Sequence, residues 1–95
     1  MTRTRIEQIL KDHYAVLNQQ FKVSKIGIFG SYAAGRANEN SDVDILVEFS
    51  EPVGWEFTDL HDYIESILNK KVDLATAGSL KPQLKDSILN EIIYL

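Results

Sequence analysis

Cysteine is absent from the 95 residues. That excludes disulfides, thiolate metal sites and cysteine nucleophiles. No apolar run approaches the roughly 18 residues that a membrane-spanning helix needs. From Met1 to Lys11 charge is interleaved with Ile6, Ile9 and Leu10, so the apolar centre of a signal peptide is missing and a cytoplasmic protein is expected. Basic residues are few as well: 10 Lys and Arg face 14 Asp and Glu, a formal net charge of -4. Nonspecific nucleic-acid binding relies on clustered Lys and Arg and is not expected. A nucleotide ligand stays open, because a bound cation reverses the local sign. There is no internal repeat, linker or low-complexity tract.

What is present is ordinary for a globular protein, 44% apolar and 25% charged. The length suits one modest core and is too short for a catalytic domain beside a substrate domain, so residues 1–95 are expected to form a single domain. Ile6, Ile9, Leu10, Tyr14 and Leu17 recur at intervals of three and four and predict one amphipathic helix over Thr4 to Leu17. Val23 to Phe29 is short, β-branched and apolar and predicts a buried strand running into a glycine turn. Val43, Ile45, Val47 and Phe49 alternate with Asp42, Asp44, Leu46 and Glu48. The first set is expected to face a core, the second a site or solvent.

A loop around Pro52 and Gly54 leads to a helix over Trp55 to Asn69, with Phe57, Leu60, Ile64, Ile67 and Leu68 inward. Lys71 to Ala75 reads as a short strand. Pro82 suits the first turn of a last helix, whose apolar face runs through Leu84, Ile88, Leu89, Ile92 and Leu95. The predicted order is α-β-β-α-β-α, a small α/β (α+β) fold with a three-stranded mixed sheet and helices packed on one side. His13 and His61 are both read as packing or surface residues. Ile93 and Tyr94 are candidates for a homo- or hetero-oligomeric interface.

The chemistry concentrates between Gly30 and Asp44. Gly30 ends a strand and allows close backbone approach by a phosphate. Ser31 is expected to cap the short helix that follows, and Gly35 to end it in a left-handed conformation. Asp42 and Asp44, two residues apart on one strand, point to one face about 7 Å apart along the backbone and can converge on a hard cation such as magnesium. Taken alone, each signal is common. Gly30 to Ala37 also approaches the P-loop pattern G-x-x-x-x-G-K-[ST], but Arg36 replaces its lysine and Ala37 lacks the magnesium-binding hydroxyl, so that reading is rejected.

The combination resembles the polymerase-β-type nucleotidyltransferase superfamily, and more closely its minimal nucleotidyltransferase (MNT) domains, antitoxins that act beside HEPN-domain toxins. Three stretches carry the resemblance: Gly30-Ser31-Tyr32-Ala33-Ala34-Gly35-Arg36, Ser41-Asp42-Val43-Asp44-Ile45-Leu46-Val47, and Lys71-Val72-Asp73-Leu74. The end of the chain, from Leu80-Lys81-Pro82 to Tyr94-Leu95, also matches. The resemblance implies Mg2+-dependent transfer of AMP from ATP to a hydroxyl, a tyrosine of the partner HEPN toxin, with pyrophosphate leaving. It implies Asp42, Asp44 and Asp73 as catalytic ligands of two magnesium ions, with Asp73 also able to accept the hydroxyl proton. Gly30, Ser31, Arg36 and Ser41 are the implied nucleotide-binding residues. One departure stands out: Ala34 falls where many relatives carry arginine, and Arg36 is the candidate substitute. Two alternatives remain at this point, a binding module that silences its toxin by contact, and nucleotidyl transfer to a small molecule or RNA.

Overall fold

The computed structural model describes residues 1–95. Two seven-residue strands, β1 (Val23–Phe29) and β2 (Val43–Phe49), pair antiparallel at its centre. Strand β3 (Val72–Ala75) adds parallel to β2, and β4 (Ile93–Tyr94) adds antiparallel to β1. The mixed sheet therefore runs β3-β2-β1-β4. A parallel β2–β3 step requires a crossover, and helix α4 (Glu56–Leu68) supplies it. Its start is marked by Glu56 and Asp59 in the first turn, and its end by Asn69 in the left-handed region at φ 53°.

Strand register sorts the side chains onto two faces. Residues opposed across a ladder share a face, so Ile26, Ile28, Val43, Ile45, Val47 and Val72 lie together. They pack against Ile6 and Leu10 of α1 (Arg3–Asp12), Leu17 of α2 (Tyr14–Phe21), and Leu60, Ile64 and Leu68 of α4. Burying each of these side chains contributes about 1.5–3 kcal/mol, which makes this face the main source of stability. The other face carries Gly27, Phe29, Asp44, Leu46 and Asp73.

The fold is the expected mixed α+β type, with three differences from the sequence reading. First, the single N-terminal helix is broken at His13. The His13 Nδ1 lies 2.8 Å from the Ile9 carbonyl oxygen, and its ring sits edge-on to Tyr63 with centroids 6.0 Å apart. Second, the sheet has four strands. The last helix, α5 (Pro82–Glu91), stops early, Ile92 turns extended, and Ile93 and Tyr94 join β1, with the Leu95 N–H bonded to the Ile26 carbonyl at 3.0 Å. A run of Ile, Ile and Tyr favours a strand, and β1 offered an open edge. Third, helices are not confined to one side. A Cβ at Gly27 would meet Ile92 Cγ1 at 2.7 Å, so the end of α5 lies against the second face. Leu46 is fully buried on that face, where the alternation had placed a site or solvent residue.

Candidate active site

The site forms where β1 ends and β2 begins. Phe29 and Asp44 pair across these strands, and Gly30 then turns with φ +70° into α3 (Gly30–Ala34). A Cβ at Gly30 would collide with Asp44 Oδ2 and lie 2.9 Å from Asp44 Cγ. The glycine thus serves two needs, a backbone conformation that side chains disfavour and room for a carboxylate. Close approach was the expected reason for this residue, but the nearest group is Asp44 itself.

Asp44 is in register with Asp73 on the neighbouring strand, so their side chains start from backbones about 5 Å apart on one face. Asp42 stands just before β2, two residues from Asp44. Burial pushes the Asp44 carboxyl up to about 6 from 3.8, and the charges of Asp73 and Asp42 add to that push. No Lys or Arg forms an ion pair with any of the three. Three carboxylates without a basic partner suit a divalent cation of the magnesium type by the kind of donor they offer, although their oxygens do not converge within 4.8 Å of one another as the ligand atoms of His61, Asp62 and Glu65 do. Asp42, Asp44 and Asp73 are the residues that could hold it.

The residues expected around the nucleotide are placed unevenly. Ser31 does not cap α3: Phe29 occupies the N-cap position without a side-chain bond, so Ser31 falls two residues too late to cap. Its carbonyl instead receives the Gly35 and Arg36 N–H groups, the latter at 2.9 Å, while Gly35 takes the left-handed conformation at φ 74°. Ala34 and Arg36 are both exposed. Ser41 is spent on the loop: its Oγ accepts the Asn38 N–H at 3.0 Å and its own N–H donates to the Asn38 carbonyl at 3.1 Å. That turn delivers the chain to Asp42. Lys70 Nζ holds the same loop by donating to the Glu39 carbonyl at 3.0 Å.

The largest cavity, of about 630 Å³, lies elsewhere, between Phe49, Pro52, Phe57, Thr76 and Ser79. Phe49 is five residues along β2 from Asp44, roughly 16 Å away, so this cavity is not where the carboxylates meet. The site is an open shelf rather than an enclosed pocket.

Two polar residues of α4 have a role that the sequence reading missed: Glu65, which it did not single out, and His61, which it took for a packing or surface residue. Glu65 Oε2 accepts the Val72 N–H at 2.8 Å, and His61 Nε2 lies 2.9 Å from the Val72 carbonyl oxygen. The bond to Asp62, at 3.1 Å from Nδ1, leads the causes that raise the His61 pKa. The available signal was an i, i+4 His and Glu pair on a helix, which reads as solvated surface unless the strand beside it is known.

Comparison with known proteins identifies the family. Residues 5–95 match the family described as nucleotidyltransferase domain, and the chain belongs to that family. It is a nucleotidyltransferase of the minimal type. The protein adenylyltransferase MntA of Thermococcus cleftensis is 44% identical over 96 residues, covering 100% of this chain and 97% of the relative. Among solved structures, one named as a minimal nucleotidyltransferase superposes with a TM-score of 0.76 at 33% identity, over 98% of this chain and 91% of the other. A toxin–antitoxin complex with AMP-PNP superposes with a TM-score of 0.68 at 25% identity, over 99% and 72%.

Proposed function

We propose that this nucleotidyltransferase moves AMP from ATP to a protein hydroxyl, a tyrosine of a HEPN-domain toxin, and thereby acts as that toxin's antitoxin in the cytoplasm. One observation carries the reading: Asp44 is flanked by Asp73 and Asp42 and pressed against Gly30, in a chain closely similar to an adenylyltransferase. A second supports it: the fold is shared with a toxin–antitoxin pair that holds AMP-PNP.

The residues divide the work by position. Asp42, Asp44 and Asp73 would hold magnesium, which when bound supplies the positive charge that the triphosphate needs in phosphoryl transfer. Asp73, exposed on the outermost of the three carboxylate-bearing segments, is placed to accept the proton of an incoming hydroxyl. Gly30 leaves backbone accessible beside Asp44, and the Ser31 hydroxyl, not spent on the helix start, can donate to a terminal phosphate. Arg36, exposed and free of ion pairs, can reach the same phosphates in place of an arginine at Ala34. Positioning and charge neutralisation supply most of the rate in such reactions, so little covalent machinery is needed.

The test is transfer of label from α-labelled ATP, with magnesium, to a HEPN-domain protein co-expressed with this chain. Label on a partner tyrosine is expected, and it should vanish when Asp42→Asn and Asp44→Asn are combined. Label transfer that survives the double substitution overturns the reading. Toxin silencing without any label would point instead to neutralisation by contact.

A further inference from the structure

One group of polar side chains takes no part in the chemistry proposed above. His61 and Glu65, one turn apart on α4, both direct their side chains at a single residue, Val72. The Val72 N–H donates to Glu65 Oε2 at 2.8 Å, and the Val72 carbonyl oxygen lies 2.9 Å from His61 Nε2. In a parallel ladder the N–H and C=O of one residue point to the same side. Val72 therefore offers both groups at the outer edge of the sheet, away from β2, and α4 satisfies both.

The same side chains, with Asp62, have ligand atoms within 4.8 Å of one another. That spacing alone would suit a cation. The atoms concerned are already committed to the strand, however: Glu65 Oε2 to the Val72 N–H, and His61 Nε2 to the Val72 carbonyl and, at 3.4 Å, to Glu65 Oε2. Removing them would leave β3, a four-residue edge strand, held on one side only.

The next residue is Asp73. Val72 is in register with Val43, and Asp73 with Asp44. Whatever fixes Val72 fixes how far the Asp73 carboxylate stands from Asp44. Displacing a reacting group by about 1 Å lowers a rate on the order of 100-fold, so a loose β3 matters.

We propose that His61 and Glu65 are positioning residues for Asp73: by bonding both backbone groups of Val72 they hold the edge strand in place and set the Asp73 carboxylate beside Asp44 for cation binding and nucleotidyl transfer. This rests on the reading of Asp73 as a cation ligand.

The experiment measures Mn2+ affinity by paramagnetic resonance in the presence of a non-hydrolysable ATP analogue, together with amide exchange at Val72. In Glu65→Ala the Val72 amide should exchange on the order of tenfold faster, and Mn2+ affinity should fall about 10- to 100-fold. Glu65→Gln keeps an acceptor oxygen and should restore most of both. In the Asp73→Asn background, adding Glu65→Ala should lower Mn2+ affinity no further, because the group it positions is already gone. Multiplying losses in the double variant would mean that Glu65 acts on the fold at large, and would overturn the proposal. An Asp73→Asn variant with full Mn2+ affinity would sink the cation-ligand reading and this inference with it. Full loss from Asp73→Asn beside none from Glu65→Ala would overturn the positioning role alone.

Discussion

The two faces of β2 obey different rules. On one, Val43, Ile45 and Val47 are wholly buried in a core that draws on α1, α2, α3 and α4. On the other, Asp44 sits half-buried with two further carboxylates near it and its own pKa raised. The first face lowers the free energy of the folded chain. On the second, the buried Leu46 adds to stability, while the carboxylates around Asp44 subtract from it and hold together charges that would separate in water. Because side chains alternate strictly along a strand, neighbouring residues serve opposite ends: Val43 and Ile45 hold in place the strand that carries Asp44 between them.

Substitutions can break that contrast in either direction. The largest effect is expected from Asp42→Asn with Asp44→Asn. Nucleotidyl transfer should fall on the order of 1000-fold or more, since several kcal/mol of charge stabilisation is lost, while the thermal melt shows the fold intact. On the opposite face, Ile45→Ala should destabilise by about 2–5 kcal/mol in urea unfolding and lower kcat far less than the carboxylate substitutions do at temperatures where the variant is folded. Gly30→Ala crosses the divide. It adds a side chain at φ +70° that collides with Asp44, so it should destabilise by roughly 1–3 kcal/mol and depress transfer together.

Smaller effects sharpen the comparison. The folded-state pKa of Asp44 is raised, from 3.8 to about 6. Its unfavourable contribution is therefore absent below about 4 and develops as pH rises through about 6. The cation-free protein should melt at a higher temperature near pH 5 than near pH 7. Asp44→Asn should stabilise it at neutral pH by roughly 1 kcal/mol, because solvent screens part of the repulsion on a half-exposed carboxylate. A core-face substitution has no such pH signature. The smallest effect is expected of Ser41→Ala, about 0.5–1 kcal/mol from the lost bond to Asn38. A larger rise in KM for ATP would instead assign Ser41 to the nucleotide.

Local pattern made most of this legible. The alternation from Val43 to Phe49 separated the two faces and the spacing of Asp42 and Asp44 put two carboxylates on one of them, while Asp73 was marked through the resemblance carried by Lys71-Val72-Asp73-Leu74. What stayed hidden depended on distant partners. Ile92 and Leu95 continue the helical period of Leu84, Ile88 and Leu89, and only the open edge of β1 draws Ile93 and Tyr94 into a strand. Leu46 sits at an outward position of the alternation and is buried, on the face where Ile92 lies against its cross-strand partner Gly27. The helix break at His13 leaves the apolar spacing of Ile9, Leu10 and Leu17 undisturbed, so periodicity could not show it. Trp55 has the composition of a core residue, yet it stands just ahead of α4 and is 87% exposed. His61 and Glu65 look solvated because their partner is the backbone of Val72, and a backbone group leaves no mark in a side-chain pattern.

The edges of the sheet have one more consequence. An open strand edge is a template on which a second copy can add its own strand, and sheet proteins that crowd together through such edges aggregate. Here one outer strand has only two residues, and the other has four with both backbone groups of Val72 already occupied by α4. Neither edge offers a long run of free donors and acceptors. A protein with a partly frustrated carboxylate group at its centre thus remains a poor seed for aggregation.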